Sequence, residues 1–303
     1  MSANGATRSA IRAVDVFGQH VVQQLQSFRA RFSGGASVPP LFVAMQGPQG
    51  SGKTTVTRAL IQYLNSSGLN VGILSTDDLY HTHENLHRVA RENPTNPLLS
   101  GRGQPGTHDT ELGAELLDRI YAINERVSQT VELPVFDKSL FNGEGDRAPV
   151  SDASPALHSP LDVFILEGWS MGFSPISAAE VERKRSASPT ESPLGRYKVE
   201  ALHQINENLK AYRQWYEHFS VFLQIQPTDL NNVYIWRTQQ EHAMKAANGG
   251  RGMSDDGVKA FVDRYMPGYY LFLDTIRENE QWKGRSKTVT IDLDRTCVAV
   301  EDW

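Results

Sequence analysis

The sequence predicts an α/β fold, a three-layer sandwich in which helices cover both faces of a parallel sheet. Apolar runs such as LFVAMQG at residues 41–47 and DVFILEG at residues 162–168 are continuous rather than alternating, as expected for strands buried on both faces. Stretches with helical spacing of apolar residues separate these runs. Strands that alternate with helices along the chain favour parallel pairing through crossover helices.

The individual elements follow from the same patterns. Strands are predicted at residues 41–47, 70–76, 131–137, 162–168, 220–226 and 287–293. Helices are predicted at about residues 53–64, from 109 onward, and at about residues 196–218, 228–246 and 255–280. Pro134 marks the third strand as an edge strand, because proline cannot donate a hydrogen bond to a neighbouring strand. Asp109 is well placed as the N-cap of its helix.

Residues 1–36 are predicted to form a helix docked on a main domain of residues 37–303. Apolar residues at helical spacing favour this interpretation. The arginines and serines of the same segment are also typical of a mitochondrial presequence. Within the main domain, residues 183–195 are polar and rich in serine and proline, so we expect a mobile surface insertion there.

Composition argues against several classes of partner. The chain has 303 residues and a net charge of -5, so no basic field favours nucleic acid. Its single cysteine, Cys297, excludes an internal disulfide and fits a reducing compartment. No apolar run approaches the roughly 18 residues that cross a bilayer. We therefore expect a cytoplasmic protein without a membrane partner, acting as a monomer or a weak homodimer.

The segment GPQGSGKT at residues 47–54 matches the phosphate-binding pattern G-x-x-x-x-G-K-[ST] at every defined position. It lies between a predicted strand and a predicted helix, the context that this pattern requires. Exposed amides and the helix N-terminus favour a bound phosphate. The residues assigned to the nucleotide are Gly47, Gly50, Ser51, Gly52, Lys53, Thr54 and Thr55. Lys53 would reach the β- and γ-phosphates, and the Thr54 hydroxyl would bind Mg²⁺.

Glu167, near the end of the predicted strand at residues 162–168, is the candidate second metal ligand. A carboxylate there is able to hold Mg²⁺ or its water shell, and an acid at this place is also compatible with a purely structural role. The sequence lacks the N-K-x-D and T-K-x-D patterns of guanine recognition, which favours an adenine nucleotide. The expected cofactors are therefore ATP and Mg²⁺.

The stretch STDDLY at residues 75–80 holds candidates for activating an acceptor hydroxyl. A kinase, unlike a regulatory switch or a motor, needs a group that faces this hydroxyl. A carboxylate at the C-terminal end of the strand next to the phosphate-loop strand is suitably placed. Asp77 and Asp78 both end the second predicted strand, and side chains alternate across a strand, so only one is expected to face the cleft. These residues alone leave open which one.

Seven blocks of the sequence resemble the D-glycerate 3-kinase family of P-loop kinases, which is itself similar to uridine kinases and phosphoribulokinases. They are GPQGSGKTT, STDDLY, GRGQPGTHD, PVFDKSLFNGEGDR, FILEGW, NNVYIWRTQQEH and FVDRYMPGY, within about residues 40–292. The phosphate loop is generic, whereas the GRGQPGTHD and PVFDKSLFNGEGDR blocks are specific. The resemblance implies a P-loop NTPase fold with a small lid at about residues 245–257 that closes over ATP.

The resemblance also assigns roles to single residues. It implies that Asp77, rather than Asp78, activates the hydroxyl, and that Tyr80 lines the acceptor pocket. His108 and Asp109 stand where related kinases use a similar pair in the acceptor site. The candidates to neutralise charge on the transferring phosphoryl group are Arg237 and Arg251.

We therefore expect an ATP-dependent kinase whose acceptor is D-glycerate. The carboxylate of this small anion needs cationic donors, and those near the acceptor motifs are Arg102, Lys138 and Arg147, each equally compatible with a surface salt bridge. Two alternatives stay open: a kinase with a nucleoside acceptor stacked on Tyr80 and Phe136, and an ATP-binding regulatory protein without transfer activity. His81 and His83 have no third ligand evident in the sequence, so we assign them to the surface or the acceptor pocket rather than to a metal.

Overall fold

The computed structural model describes residues 3–32, 37–151, 153–247 and 249–303. Residues 1–2 and 33–36 of the predicted N-terminal segment, and Asn248 of the predicted lid, lie outside the described residues. The strands are β1 (Leu41–Gln46), β2 (Val71–Ser75), β3 (Thr130–Glu132), β4 (Phe136–Asp137), β5 (Asp146–Arg147), β6 (Ala156–His158), β7 (Val163–Gly168), β8 (Val221–Pro227), β9 (Ser286–Ile291) and β10 (Cys297–Asp302). The helices are α1 (Ala3–Arg29), α2 (Lys53–Ser66), α3 (His83–Glu92), α4 (Thr110–Tyr121), α5 (Ala178–Ser186), α6 (Val199–Asn208), α7 (Arg213–Tyr216), α8 (Asn232–Ala247), α9 (Asp255–Asp263), α10 (Met266–Phe272) and α11 (Thr275–Glu278).

The main sheet has six strands in the order β10-β9-β8-β1-β7-β2. Pairs within β9-β8-β1-β7-β2 are parallel, and β10 is antiparallel to β9. Successive side chains of β1 enter two different cores. Phe42 and Ala44 face the core that includes α4, α6 and α10, while Leu41, Val43 and Met45 face the core that includes α1 and α2. The predicted P-loop α/β sandwich is therefore confirmed, and its continuous apolar strands reflect burial on both faces.

Helix α1 packs beside α2 on the same face of the main sheet. Its buried stripe includes Phe17, Val21 and Leu25, as apolar residues at helical spacing require. Gly18 lies against the ring of Tyr63, where a Cβ would be 2.4 Å from the nearest ring carbon. This close contact fixes α1 on the sheet domain. None of the described helices is both long enough and apolar enough to span a bilayer.

Several predicted elements were wrong in detail. The expected edge strand at residues 131–137 is instead divided between two small sheets, β3-β6 and β4-β5, and Pro134 lies in the stretch without strand structure between β3 and β4. The expected helix at residues 255–280 breaks into α9, α10 and α11, with Pro267 in the first turn of α10. A 3-10 turn interrupts the helix predicted over residues 196–218. Strand β10 was missed because most of its side chains are exposed.

The segment at residues 183–195 also differs from its prediction. Its first four residues are the end of α5, and Lys184 Nζ donates to the Tyr270 and Leu271 carbonyls at 3.1 and 3.0 Å. Leu194, at its other end, is buried in the core. The segment is thus anchored at both ends, by the hydrogen bonds of Lys184 and by the burial of Leu194. Mobility between these ends stays a prediction.

Three strand ends position the functional site. In register, Met45 of β1 lies beside Glu167 of β7, which lies beside Ser75 of β2. The prediction that the second strand neighbours the phosphate-loop strand is therefore wrong, since β7 separates them. The chain skips one strand position when it crosses from β1 to β2, and β7 later occupies that position. The phosphate loop, Glu167 and the segment after Ser75 meet at the carboxyl ends of these parallel strands, where α/β sheets bind ligands.

Candidate active site

The phosphate loop, residues 47–54, joins β1 to the first turn of α2. Gly50 and Gly52 adopt positive φ angles of 74° and 86°, and Gly52 is the N-cap of α2. A Cβ at Gly50 would lie 2.6 Å from Trp236 Cβ, so no side chain fits there. The buried Ser51 hydroxyl has no hydrogen-bond partner among the described residues. The loop therefore offers a donor and a helix N-terminus to an anion.

Lys53 and Glu167 form an ion pair below this loop. Lys53 Nζ donates to Glu167 Oε2, and the side chains are only 15% and 9% exposed. Thr54 is exposed in the first turn of α2. A hydroxyl and a carboxylate are oxygen donors of the kind that Mg²⁺ prefers. The residues present thus fit a phosphate chain with Mg²⁺, and together with the phosphate loop they are called the nucleotide half.

Two residues that the sequence analysis did not assign also contact the phosphate loop. The Gln49 amide donates to the Tyr269 hydroxyl at 3.1 Å, and Arg295 Nε donates to the Gly50 carbonyl at 2.8 Å. Tyr269 belongs to the FVDRYMPGY block, which could have indicated it. Arg295 lies in the turn between β9 and β10, and no sequence pattern marks it. Both contacts restrain the loop.

The predicted lid joins α8 to α9. Glu241 anchors it, because its buried carboxylate accepts from the Met253 amide at 2.8 Å and from Arg237 Nη2 at 3.2 Å. The Arg237 guanidinium also lies 5.2 Å from the centre of the Phe261 ring. Arg251 is exposed in the connecting loop. The assignment of both arginines to the transferring phosphoryl group stays a prediction.

Asp77 lies in a 3-10 turn, Thr76–Leu79, directly after β2. Its carboxylate accepts a hydrogen bond from Lys138 Nζ at 2.5 Å. Burial alone would raise the pKa of Asp77, but the charge and hydrogen bond of Lys138, and then the charge of Lys53, outweigh it and hold the pKa below its usual value. Asp77 is therefore an ionised carboxylate near neutral pH, and it lies within the field of the phosphate-loop lysine.

Asp78 has a different environment. Its carboxylate accepts from the Phe136 amide at 3.0 Å, which anchors β4. Burial, with the charge of Asp77 as a further contribution, raises the pKa of Asp78. The adjacent acids thus have separate partners, a cation for Asp77 and a backbone amide for Asp78.

Tyr80 and His108 form a buried stack beside Asp77. Their ring centroids are 4.2 Å apart with an interplanar angle of 20°, and burial raises the pKa of Tyr80. Burial lowers the pKa of His108 to about 3, so its imidazole is neutral. His108 Nδ1 contacts the Tyr212 hydroxyl at 2.6 Å.

The tautomer of His108 follows from its neighbours. The Tyr212 hydroxyl accepts from the Gly106 amide at 3.2 Å, and His108 Nδ1 is its one contact among the described residues that can accept the hydroxyl hydrogen. The ring proton of His108 is then on Nε2. That atom is buried and has no partner in the described part of the chain. His108 therefore presents a neutral donor near Asp77.

The remaining predicted acceptor residues are tied to protein groups. Asp109 caps α4, accepting from the Leu112 amide at 3.1 Å, and its second oxygen accepts from Arg147 Nη2 at 3.1 Å. Arg147 also donates to the Tyr80 carbonyl at 2.9 Å. Arg102 Nη1 donates to the Gly143 carbonyl at 2.7 Å. We call the group Asp77, Tyr80, Arg102, His108, Asp109, Lys138 and Arg147 the acceptor half.

No family model matches the sequence. The chain is 38% identical over 260 residues to the probable ATP-dependent kinase TDA10 of Saccharomyces cerevisiae, covering 84% of this chain and 85% of that protein. It is 34% identical over 273 residues to the chloroplastic D-glycerate 3-kinase of Arabidopsis thaliana, covering 89% of this chain and 56% of that protein. The solved structure of a D-glycerate 3-kinase from Cryptococcus neoformans has a TM-score of 0.90 and 40% identity, covering 96% of this chain and 99% of that one. The similarity thus extends over most of the chain.

Proposed function

Since the chain belongs to the D-glycerate 3-kinase family of P-loop kinases, we propose that it transfers the γ-phosphoryl group of ATP to the 3-hydroxyl of D-glycerate. The observation that carries this proposal is the placement of Asp77. It is an ionised carboxylate at the same end of the sheet as the phosphate loop, and the charges of Lys138 and Lys53 both act on it. A base for a hydroxyl and a cradle for phosphate therefore share one cleft.

Asp77 acts as the base in the proposed reaction. Its carboxylate accepts the proton of the 3-hydroxyl while that oxygen forms a bond to the γ-phosphorus, and the bond from that phosphorus to the leaving oxygen of ADP breaks. Lys53 and the phosphate-loop amides hold the phosphates, and Thr54 and Glu167 would hold Mg²⁺, which when bound neutralises phosphate charge. We further propose that the lid excludes water during transfer and that Arg237 and Arg251 neutralise charge on the transferring phosphoryl group.

Lys138 is the favoured contact for the carboxylate of D-glycerate. Its ammonium is half-exposed and already lies beside Asp77, so an acceptor at this place meets both a cation and a base. Arg147 and Arg102 are held by protein oxygens, and we propose that they shape the same subsite. His108 Nε2, as a buried neutral donor, suits a hydroxyl oxygen of the acceptor.

We also propose ATP and Mg²⁺ as the working cofactors, the cytoplasm as the location, and a monomer or weak homodimer as the active form. The low net charge supports a small-molecule substrate over nucleic acid. Light scattering at the protein concentration of the activity assay measures the oligomeric state.

Acceptor-dependent release of ADP tests the proposed function. In a coupled assay with Mg²⁺ and ATP, turnover is expected with D-glycerate and not with uridine or pantothenate. Turnover with uridine alone would favour a nucleoside kinase, and ATP binding without transfer to any of these acceptors would favour a regulatory protein. Asp78→Asn is a matched control for Asp77→Asn, because an asparagine oxygen can still accept from the Phe136 amide.

A further inference from the structure

Beside the acceptor half, three side chains converge at the start of α3. His83 Nε2 and His87 Nε2 lie 3.0 Å apart, and Glu144 Oε2 lies 2.8 Å from the first and 2.9 Å from the second. The histidines are at i, i+4 spacing and so share one face of the helix, while Glu144 comes from the loop between β4 and β5. We propose that these three side chains bind one divalent transition-metal ion of the Zn²⁺ type.

The donor set and its spacing fit such an ion. Two imidazole nitrogens with one carboxylate oxygen suit Zn²⁺, whereas Mg²⁺ prefers oxygen donors alone. Around a tetrahedral Zn²⁺ with ordinary bond lengths, neighbouring ligand atoms are about 3.3 Å apart. The observed separations of 2.8, 2.9 and 3.0 Å need only small side-chain rotations to reach this spacing. Glu144 and His87 are 60% and 49% exposed, so water has access to a fourth position.

Hydrogen bonds alone do not satisfy all three atoms. If both imidazoles donate from Nε2 to Glu144, two N–H groups face each other at 3.0 Å. If one Nε2 accepts from the other instead, the carboxylate loses one of its two donors. A cation between the three atoms gives each lone pair a partner at the same time.

The surrounding contacts hold the ligands in place. The His83 amide donates to Asp146 Oδ1 at 2.8 Å, and its ring stacks on Phe141 with centroids 3.8 Å apart. The Glu144 carbonyl accepts from Arg102. Contacts of this kind orient the side chains that bind a metal ion and raise the affinity of the site for that ion.

A bound ion would tie α3 to the loop between β4 and β5. The same loop carries Lys138, and β5 carries Arg147, so the ion would stiffen one wall of the acceptor half. The proposal goes beyond the kinase function and does not rest on it, because none of the three ligands belongs to the nucleotide or acceptor half.

The test uses the full chain, freed of metal by a chelator and titrated with Zn²⁺ against a chromophoric indicator. One Zn²⁺ per chain is expected, and Co²⁺ in its place should show the visible absorption of a tetrahedral site. Glu144→Gln and His87→Ala should each weaken Zn²⁺ binding by at least about tenfold, the smallest loss typical when even an outer contact of a metal ligand is removed. Thermal unfolding of the metal-free variants checks that they fold.

His242→Gln is the matched control. His242 is exposed and pairs with a single carboxylate, Asp255, at 2.7 Å, so its loss should leave Zn²⁺ affinity unchanged. Unaltered affinity in both Glu144→Gln and His87→Ala would overturn the proposal, as would loss of the ion in Glu167→Gln, which would place it in the nucleotide half. The titration contains no ATP and no D-glycerate, so its failure is distinguishable from a failure of the proposed function.

Discussion

The nucleotide half and the acceptor half both lie at the carboxyl ends of the parallel strands, but they are assembled differently. The nucleotide half consists of one continuous segment, residues 47–54, and Glu167, which pairs with Lys53 from a distant strand. In the acceptor half, Asp77 meets Lys138, which is 61 positions away, and Asp109 meets Arg147, which is 38 positions away. A kinase needs the first half to hold phosphates and the second to select one hydroxyl. Substitutions in the two halves should therefore change different kinetic constants.

The largest effect is expected for Asp77→Asn. Without the carboxylate, kcat should fall on the order of 10² to 10⁴, the range of general-base assistance. The KM for ATP should stay near its wild-type value, because the phosphate loop is unchanged. Steady-state kinetics with both substrates measures this, and wild-type turnover in Asp77→Asn would remove Asp77 from its proposed role.

Lys53→Met tests the nucleotide half. Loss of a charged donor to the phosphates should lower kcat by about 10² to 10³ and should also weaken nucleotide binding. The melting temperature should fall, since Glu167 is left buried without its cation. Calorimetric titration with ADP and thermal unfolding measure the two effects. Full ADP affinity in this variant would contradict the assignment of Lys53.

Lys138→Met tests the acceptor half in the complementary way. The KM for D-glycerate should rise by about 10-fold to 100-fold, as expected for losing a hydrogen bond to a charged group, while the KM for ATP stays constant. If instead the KM for ATP rose and that for D-glycerate did not, Lys138 would belong to the nucleotide half.

The same variant should change the pH dependence. In the wild type the pKa of Asp77 is below its ordinary value of 3.8, so Asp77 stays ionised and contributes no acid limb between about pH 5 and pH 8. In Lys138→Met burial acts without its main opposing charge, and the pKa of Asp77 should rise. A pH profile of kcat/KM for D-glycerate should then show an acid limb at higher pH than in the wild type, and coincident profiles would contradict the pairing.

The smallest effect is expected for Tyr212→Phe. This change removes the hydrogen directed at His108 Nδ1, and kcat/KM for D-glycerate should fall by about 2-fold to 10-fold. Nitrogen-15 chemical shifts of His108 should show a mixture of tautomers instead of protonation on Nε2 alone. An unchanged tautomer would mean that Tyr212 does not orient the imidazole.

The two halves also differ in how far the sequence could predict them. The phosphate loop was found without any relative, because its glycines and Lys53 must lie at fixed spacing for the backbone to enclose a phosphate. The order of strands was not found, because the position of β7 between β1 and β2 depends on packing that no local pattern records. The choice of Asp77 over Asp78 came only from the family resemblance.

Contacts between residues that are far apart in the chain could not be predicted from the sequence, for the same physical reason. Lys138 and Arg147 were named as possible cations, but the sequence could not show that one pairs with Asp77 and the other with Asp109. In the sequence His81 and His83 stand out as a pair, but the histidine that shares a helix face with His83 is His87, one helical turn further along. Glu144 could not be predicted as their neighbour, since a loop far along the chain brings it there.

The position of the transferred phosphoryl group tests the central proposal most directly. Incubation with Mg²⁺, ATP and D-glycerate, followed by proton-coupled phosphorus-31 NMR of the product, distinguishes the two hydroxyls of the acceptor. Transfer to the 3-hydroxyl predicts a product signal split into a triplet by two methylene protons. A doublet from the single proton at carbon 2, or no new phosphate ester, would contradict the proposal.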